Sequence, residues 1–272
     1  MALTEMVIMP GTDYQAICNA VRAKTGHTAL LVSGEIAALI DSIQAGGGGG
    51  GEKVLYMDAA LLAAGGAYPA DAADYTEAVI PAEATYVDLD VFDNLPNVTK
   101  VTVNGNCDFE THSVYNSYRK TYVDVPVFGR ETCGVTDLVI KGRDTIEESF
   151  LFGSQTLVNL EIEDCGSLGS YVCQDCAKLE SVTFKNFHGS EIGAYAFLRC
   201  TSLKEIVIPE SVGAIHLACF NGCSALETIT FLGTETTIGQ AAIPSTTIIR
   251  GYAGSAAETY ANSNGYTFEA IG

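Results

Sequence analysis

The sequence predicts a β-rich α/β solenoid of about eight coils stacked through one parallel strand ladder, preceded by a small helical hairpin. Three observations carry this expectation. One apolar phrase is repeated four times, as Leu157-x-x-Leu160-x-Ile162, Leu179-x-x-Val182-x-Phe184, Leu203-x-x-Ile206-x-Ile208 and Leu226-x-x-Ile229-x-Phe231. The last residues of these phrases are 22, 24 and 23 positions apart, a period at which each unit buries its apolar edge against the next. A run of six glycines, Gly46 to Gly51, then separates the array from a short amphipathic segment at the N-terminus.

The same ruler extends upstream. Ile80-Pro81 stands to Phe92 and Val103 as Ile208-Pro209 stands to Phe220 and Phe231, at steps of 12 and 23 residues, so residues 80–103 form another coil. Val103 to Val125 and Ile140 to Ile162 are both 22, whereas Val125 to Ile140 is 15 and suggests a trimmed coil or a bend. Ile80, Val103, Val125, Ile140, Ile162, Phe184, Ile208 and Phe231 are therefore expected in one buried column, with neighbouring strands about 4.8 Å apart.

Between strands each coil carries Phe-x-x-Cys-x-x-Leu, as in Phe197, Cys200 and Leu203 or Phe220, Cys223 and Leu226, with weaker copies at Cys173, Cys176, Leu179 and at Leu151, Ser154, Leu157. Spacing of three suits one or two helical or 3₁₀ turns packed on the ladder. The nine cysteines are read as free thiols, because Cys176, Cys200 and Cys223 share one repeat position that wants a small buried side chain. Cys173-x-x-Cys176 has zinc or redox spacing but lacks a second pair, so no metal and no cofactor is expected.

These residues resemble the BspA-like leucine-rich repeats of bacteria and their phages, whose line has an Ala-Phe-x-x-Cys-x-x-Leu-x-x-Ile-x-Ile-Pro flavour. Ala196 to Ile208 and Ala218 to Phe231 match it, with Cys219 intervening in the second. The stretch from Gly251 through Phe268 is similar to the tail that closes such arrays. The resemblance implies a solenoid fold and a binding habit, and it identifies no ligand.

At the start, Ile17, Ala20 and Val21 share a face of a first helix ended by Gly26, and Ser33 caps a second with Ile36, Leu39, Ile40 and Ile43 as its stripe. Two helices this short bury little alone, so Ile36, Leu39, Ile40 and Ile43 are expected to form an assembly interface with copies of the chain or with another protein. The segment Tyr14 to Gly26 with Ser33-Gly34-Glu35-Ile36 is similar to N-terminal modules of phage and prophage tail-fibre and other virion structural proteins. That implies attachment to a particle. The expected organisation is a helical attachment module at 1–45, a flexible linker at 46–52 and the solenoid at 53–272, with caps at 53–75 and 250–272. A phosphate-binding loop would need Lys-Ser or Lys-Thr after the glycines, and Glu52-Lys53 leads into Val54-Leu55-Tyr56 instead. As a coil the glycines span roughly 12 to 15 Å and uncouple the two modules.

At the C-terminal end, Ile248 and Ile249 give a last strand, Ser255 to Asn262 a helix closed by Asn264-Gly265, and Tyr266 to Ile271 a returning strand. In the first cap, Asp58 is read as capping an Ala59 to Ala64 helical piece.

Of the 272 residues 47% are hydrophobic, and 33 acids against 14 bases give a net charge of −19. Such a surface repels phosphate backbones and anionic membranes, which argues against nucleic acid as a partner. Met1 to Pro10 lacks the basic lead and length of an export signal, and no apolar run of 18 occurs, so neither ordinary export nor a membrane anchor is expected. His27, His112, His188 and His216 are scattered, and no nucleophile elbow or His-Glu-x-x-His is present. An enzyme is not expected; a glycan-active one lacks support.

The strand residues that alternate with the ruler positions are expected to line the open face of the ladder. That face is either a solvated sheet surface or a groove for glycan hydroxyls or a basic protein patch. In the second reading Tyr122 is a stacking platform, and Asp124, Asp137, Asn159 and Glu161 supply hydrogen bonds. Tyr115 and Tyr118 fall on the Phe and Cys positions of the repeat and are expected in the core. The functional expectation is a virion component presenting the solenoid to a host surface. The alternative is a bacterial surface or secreted adhesin.

Overall fold

The computed structural model describes residues 54–57, 62, 68, 70–116, 120–129 and 133–272, all within the compact unit Glu52–Gly272. The expected interface residues Ile36, Leu39, Ile40 and Ile43, the helical hairpin around them, the glycine linker and most of the Ala59 to Ala64 piece lie outside the described residues.

The chain is a parallel β-solenoid of about nine turns. Its strands are β1 (Val54–Tyr56), β2 (Glu77–Ile80), β3 (Tyr86–Val87), β4 (Lys100–Asn104), β5 (Asp108–Phe109), β6 (Thr111–Asn116), β7 (Thr121–Pro126), β8 (Asp137–Lys141), β9 (Thr145–Ile146) and β10 (Asn159–Glu163). They continue with β11 (Ser167–Leu168), β12 (Ser181–Lys185), β13 (Glu191–Ile192), β14 (Glu205–Ile208), β15 (Ala214–Ile215), β16 (Thr228–Phe231), β17 (Thr237–Ile238) and β18 (Ile248–Gly251), then helix α1 (Ala256–Asn264) and β19 (Phe268–Ala270). The longer strands pair in parallel in the order β1-β2-β4-β8-β10-β12 and then β14-β16-β18-β19. The ladder has ten strands, seven at ruler positions with β1 before them and β18 and β19 after, and so about nine turns against the expected eight.

The ruler register holds over most of the ladder. Ile80 pairs with Val103, Val103 with Ile140, Ile140 with Ile162, Ile162 with Phe184, and Ile208 with Phe231. Ile80, Val103, Ile140, Ile162, Ile208 and Phe231 are all fully buried, as the period-two alternation of a half-buried strand requires. Two parts of the expectation are corrected. Val125 is not in the column, because β4 pairs directly with β8 and residues 111–126 fold back on themselves as the antiparallel hairpin β6–β7. The irregular spacing is thus a whole coil carrying an inserted hairpin, neither trimmed nor bent. Tyr115 accordingly pairs in the hairpin backbone with Tyr122 rather than lying at a repeat Phe position, and Tyr118 is outside the described residues. The second correction is that β12 ends one sheet and β14 begins another, so Phe184 and Ile208 are not hydrogen-bonded neighbours.

Each coil returns through a second ladder of two-residue strands, β9-β11-β13-β15-β17, with β3 and β5 paired before it. Between the ladders the Phe-x-x-Cys segment is a run of turns rather than a helix. Leu198 N–H donates to Tyr195, Cys200 to Phe197 and Leu203 to Cys200, each three residues back. The intervening N–H groups of Tyr195, Phe197 and Arg199 donate to Leu217, Cys219 and Asn221 of the next coil. Alternate groups therefore close the turn and stitch the stack, which an α-helix could not do because it satisfies its own backbone. The cysteines complete this pattern. The thiols of Cys176, Cys200 and Cys223 donate to the carbonyls of Leu151, Cys173 and Phe197 one coil earlier at 3.0, 3.1 and 3.0 Å.

The C-terminal end is closed by α1. Ser255 accepts from Glu258 N–H, Glu258 Oε2 accepts from Gly254 N–H at 2.6 Å, and Gly265 at φ 76° lets Tyr266 N–H reach Ala261, a Schellman ending. β19 then adds to β18 and covers the last coil.

Candidate functional site

The five expected ligand-binding residues separate into two groups. Asp137, Asn159 and Glu161 lie on the outer face of β8 and β10, where Asn159 pairs with Asp137 across the ladder. Asn159 Nδ2 donates to Asp137 Oδ1 at 2.7 Å, Thr136 Oγ1 donates to Asp137 Oδ2 at 2.6 Å, and Lys185 Nζ meets Glu161 Oε2 at 2.8 Å. Lys100 and Glu77, and Lys141 and Glu163, pair in the same way on neighbouring strands. The polar groups of this face are engaged with one another, which favours the solvated-sheet reading for Asp137, Asn159 and Glu161.

Tyr122 and Asp124 are elsewhere, on β7 of the hairpin; they do not line the ladder face, because their segment leaves the stack. Alternation along β7 puts Val123 and Val125 on one side, buried against Phe152, and Tyr122 and Asp124 on the other. Tyr122 is 69% exposed. Asp124 Oδ1 accepts from Ser113 Oγ of the facing strand at 2.7 Å. The hairpin is locked onto the solenoid by a reciprocal amide pair that is fully buried. Asn116 Nδ2 donates to Gln174 Oε1 at 3.0 Å, and Gln174 Nε2 donates back to Asn116 Oδ1 at 3.3 Å.

Where the hairpin leans on the coil it leaves a pocket of about 250 Å³, lined by Thr111, Asp124 and Pro126 from the hairpin and by Cys107, Asp108, Phe109, Arg143, Glu147, Glu148 and Phe150 from the solenoid. Its floor is aromatic. Phe109 and Phe150 meet edge to face at 5.3 Å, and the guanidinium of Arg143 lies 5.1 Å from the Phe150 ring centre and 5.9 Å from that of Phe109. Arg143 is buried and uses its planar fork fully: Nη2 donates to Glu147 Oε1 and Oε2 at 2.8 and 2.9 Å, Nη1 to Cys107 O at 3.0 Å, and Nε to Thr145 O at 3.4 Å. Burial pushes the Cys107 thiol up, against the opposing pull of Arg143. The rim carries Asp108, Asp124, Glu147 and Glu148 around this single guanidinium, so the pocket has a negative balance. An aromatic floor under a carboxylate rim suits a cation on an apolar stem, or a sugar that stacks one face and donates its hydroxyls.

The sequence reading missed Arg143 and the two phenylalanines. A signal existed: the pairing of Thr145 with Ser167 sets Arg143 level with Cys165, and Phe187 follows at the same place one coil on. An arginine at an apolar repeat position marks a departure from core packing. Among the described residues no group of three His, Cys, Asp or Glu is placed to hold a metal, and no helix is long and apolar enough to cross a membrane.

Residues 130–259 match the family described as BspA type leucine rich repeat region, in six copies. A leucine rich cell surface protein from Faecalibacterium prausnitzii A2-165 is similar over 73% of this chain and 48% of its own, with 22% identity and a TM-score of 0.37. The pneumococcal vaccine antigen PcpA is similar over 73% of this chain and 68% of its own, with 13% identity and a TM-score of 0.41. The chain thus spans about half the length of the first of these. No curated protein matches it. The six matched copies cover the ladder from β8 through β18.

Proposed function

We propose that this is a non-enzymatic recognition protein, a phage or prophage virion component whose hairpin pocket contacts a glycan or a basic protein patch on a host surface. The observation that carries the reading is the inserted hairpin: a rigid stack interrupts itself to project an exposed Tyr122 on the strand face of Asp124, which lines an acidic, aromatic-floored pocket. Recognition on loops held by a rigid scaffold is the common arrangement, and the buried Asn116–Gln174 pair holds this one in place. Attachment to the particle is assigned to residues 1–45 on the strength of their likeness to virion modules, with the stripe Ile36, Leu39, Ile40 and Ile43 as the contact.

The reading is tested with full-length protein and a variant in which residues 112–125 are replaced by a two-residue turn. Because β4 pairs directly with β8, the variant is expected to keep the solenoid and its cooperative melting while losing binding to host cells. Pretreating the cells with protease or with glycosidase separates the two surface ligands. Undiminished binding by the variant would remove the hairpin pocket from the reading. Mass spectrometry of purified tailed particles and of washed cell envelopes tests location: the chain is expected with the particles, and recovery from envelopes alone would establish the adhesin instead.

A further inference from the structure

The ladder opens once, between β12 and β14. The coils of β4, β8, β10 and β12 leave their strand through a left-handed residue, Gly105, Gly142, Asp164 or Asn186, whereas β14 leaves through Pro209, as β2 leaves through Pro81. The strands of these two coils stay unpaired here, although β13 and β15 of the same coils pair and β2 pairs with β4 in full register. Ser181 N–H donates to Val158 O and Thr228 N–H to Lys204 O; by the same repeat Glu205 N–H would reach Glu180 O. No backbone hydrogen bond joins β12 to β14 among the described residues. The N–H and C=O groups that alternate along both edges therefore lack the partners that every other coil supplies.

A groove of about 290 Å³ runs along the opening, over Phe184, Val207 and Leu232, with Thr183 beside them. Phe184 is partly exposed, whereas its ruler neighbours Ile162 and Ile208 are completely buried. Val207 and Leu232 are 48% and 38% exposed, so the apolar strip is open to solvent. The exposed carboxylates of Glu180 and Glu205 flank it, while the nearby Lys185 is held by Glu161.

We propose that this groove docks an extended peptide segment of a partner protein, in strand conformation, with an apolar side chain over Phe184 and Leu232 and basic side chains toward Glu180 and Glu205. An extended chain is the ligand whose donors and acceptors alternate at the period of the open edges. The net charge of −19 and the two flanking carboxylates select a basic sequence. The site shares no lining residue with the hairpin pocket and does not rest on it.

The probe is a blocked nine-residue peptide alternating valine and lysine, with its glutamate counterpart as control, titrated against full-length protein by fluorescence anisotropy. The lysine peptide is expected to bind at least about tenfold more tightly than the glutamate peptide. It should also slow hydrogen exchange at the Glu205 and Val207 amides. Val207→Lys and Glu205→Lys, both at exposed positions, are each expected to weaken binding about tenfold without moving the melting temperature. Asp124→Lys, in the hairpin, should leave peptide affinity unchanged. Exchange that does not slow, full affinity in Val207→Lys, or an equal loss in Asp124→Lys would overturn the assignment. So would amide protection that grows with protein concentration in the absence of peptide, since the occupant would then be a second copy.

Discussion

A Cβ on Gly189 would collide with the carbonyl oxygen of Gly166 one coil earlier, so any side chain there must push two coils apart. Gly189→Ala is expected to destabilise the full chain by about 3 kcal/mol or more, read from urea unfolding. A second backbone constraint is spread down the stack. Ser149, Tyr171, Tyr195, Ala218 and Ala241 form a column of left-handed residues with φ between 51° and 63°, each except the last donating its N–H to the coil that follows. A non-glycine residue in this region is strained by roughly 1 to 2 kcal/mol. Ala241 is exposed and gives up no packing, so Ala241→Gly is expected to stabilise by about 0.5 to 1 kcal/mol after the extra chain entropy of glycine. This column was illegible in the sequence, because serine, tyrosine and alanine do not advertise φ above zero, whereas Gly142, Asp164 and Asn186 at the strand exits do. The cysteine column was legible as small and buried. Its hydrogen bonds to the preceding coil were not, because they depend on where the carbonyls point.

At the scale of elements, the strands of 157–231 were legible because their apolar period survives intact, and the hairpin was misread because it imitates that period. Val125 falls 22 residues after Val103 and ends the alternating run Thr121-Tyr122-Val123-Asp124-Val125, as a strand of either kind would show. Only pairing partners tell a ladder strand from a hairpin strand, and these are not written locally. The same error misplaced Tyr122 and Asp124, while the correct placement of Asp137, Asn159 and Glu161 followed from an undisturbed register. The two ends lend themselves to a pH test. Tyr68 donates to Val91 O at 2.8 Å near the first coil, and burial is the main cause that pushes its hydroxyl up to about 12 from the usual 10.0. Tyr260 of α1 packs on Tyr266, and burial first, then that neighbour, raises it to about 12 as well. Because the folded values are raised, the neutral hydroxyls add stability that is fully present below pH 10.0 and is lost as pH climbs toward about 12. Absorbance at 295 nm should show these tyrosines ionising with the loss of the ends. Tyr260→Phe and Tyr68→Phe are expected to shift the alkaline transition upward, and an unchanged transition in both would count against the account.

At the scale of the whole molecule, the main ladder is interrupted where the second ladder and the packing run on, since β13 still pairs with β15, and the consequence can be measured. The ladder is divided between β12 and β14, yet a single apolar cluster runs from Leu55 through Leu157, Leu179 and Leu203 to Ala261 without interruption. In a stack whose units touch only their neighbours, cooperativity is set by the interface between adjacent coils. Here that interface is made of fully buried side chains, including the stacked pair Phe197 and Phe220 at 5.2 Å. Burial contributes about 25 cal/mol per Å², whereas a net backbone hydrogen bond contributes about 1 kcal/mol, so a few missing bonds should not uncouple the halves. Leu203 lies just past the opening and is completely buried. Leu203→Ala should therefore lower the stability of one transition by about 2 to 5 kcal/mol rather than detach residues beyond 203 as a separate one. Calorimetry and far-ultraviolet dichroism of the full chain, wild type against Leu203→Ala, decide this. A new early transition in the variant, with hydrogen exchange accelerated only after residue 203, would mean that the opening at β12 and β14 divides the solenoid into two folding units.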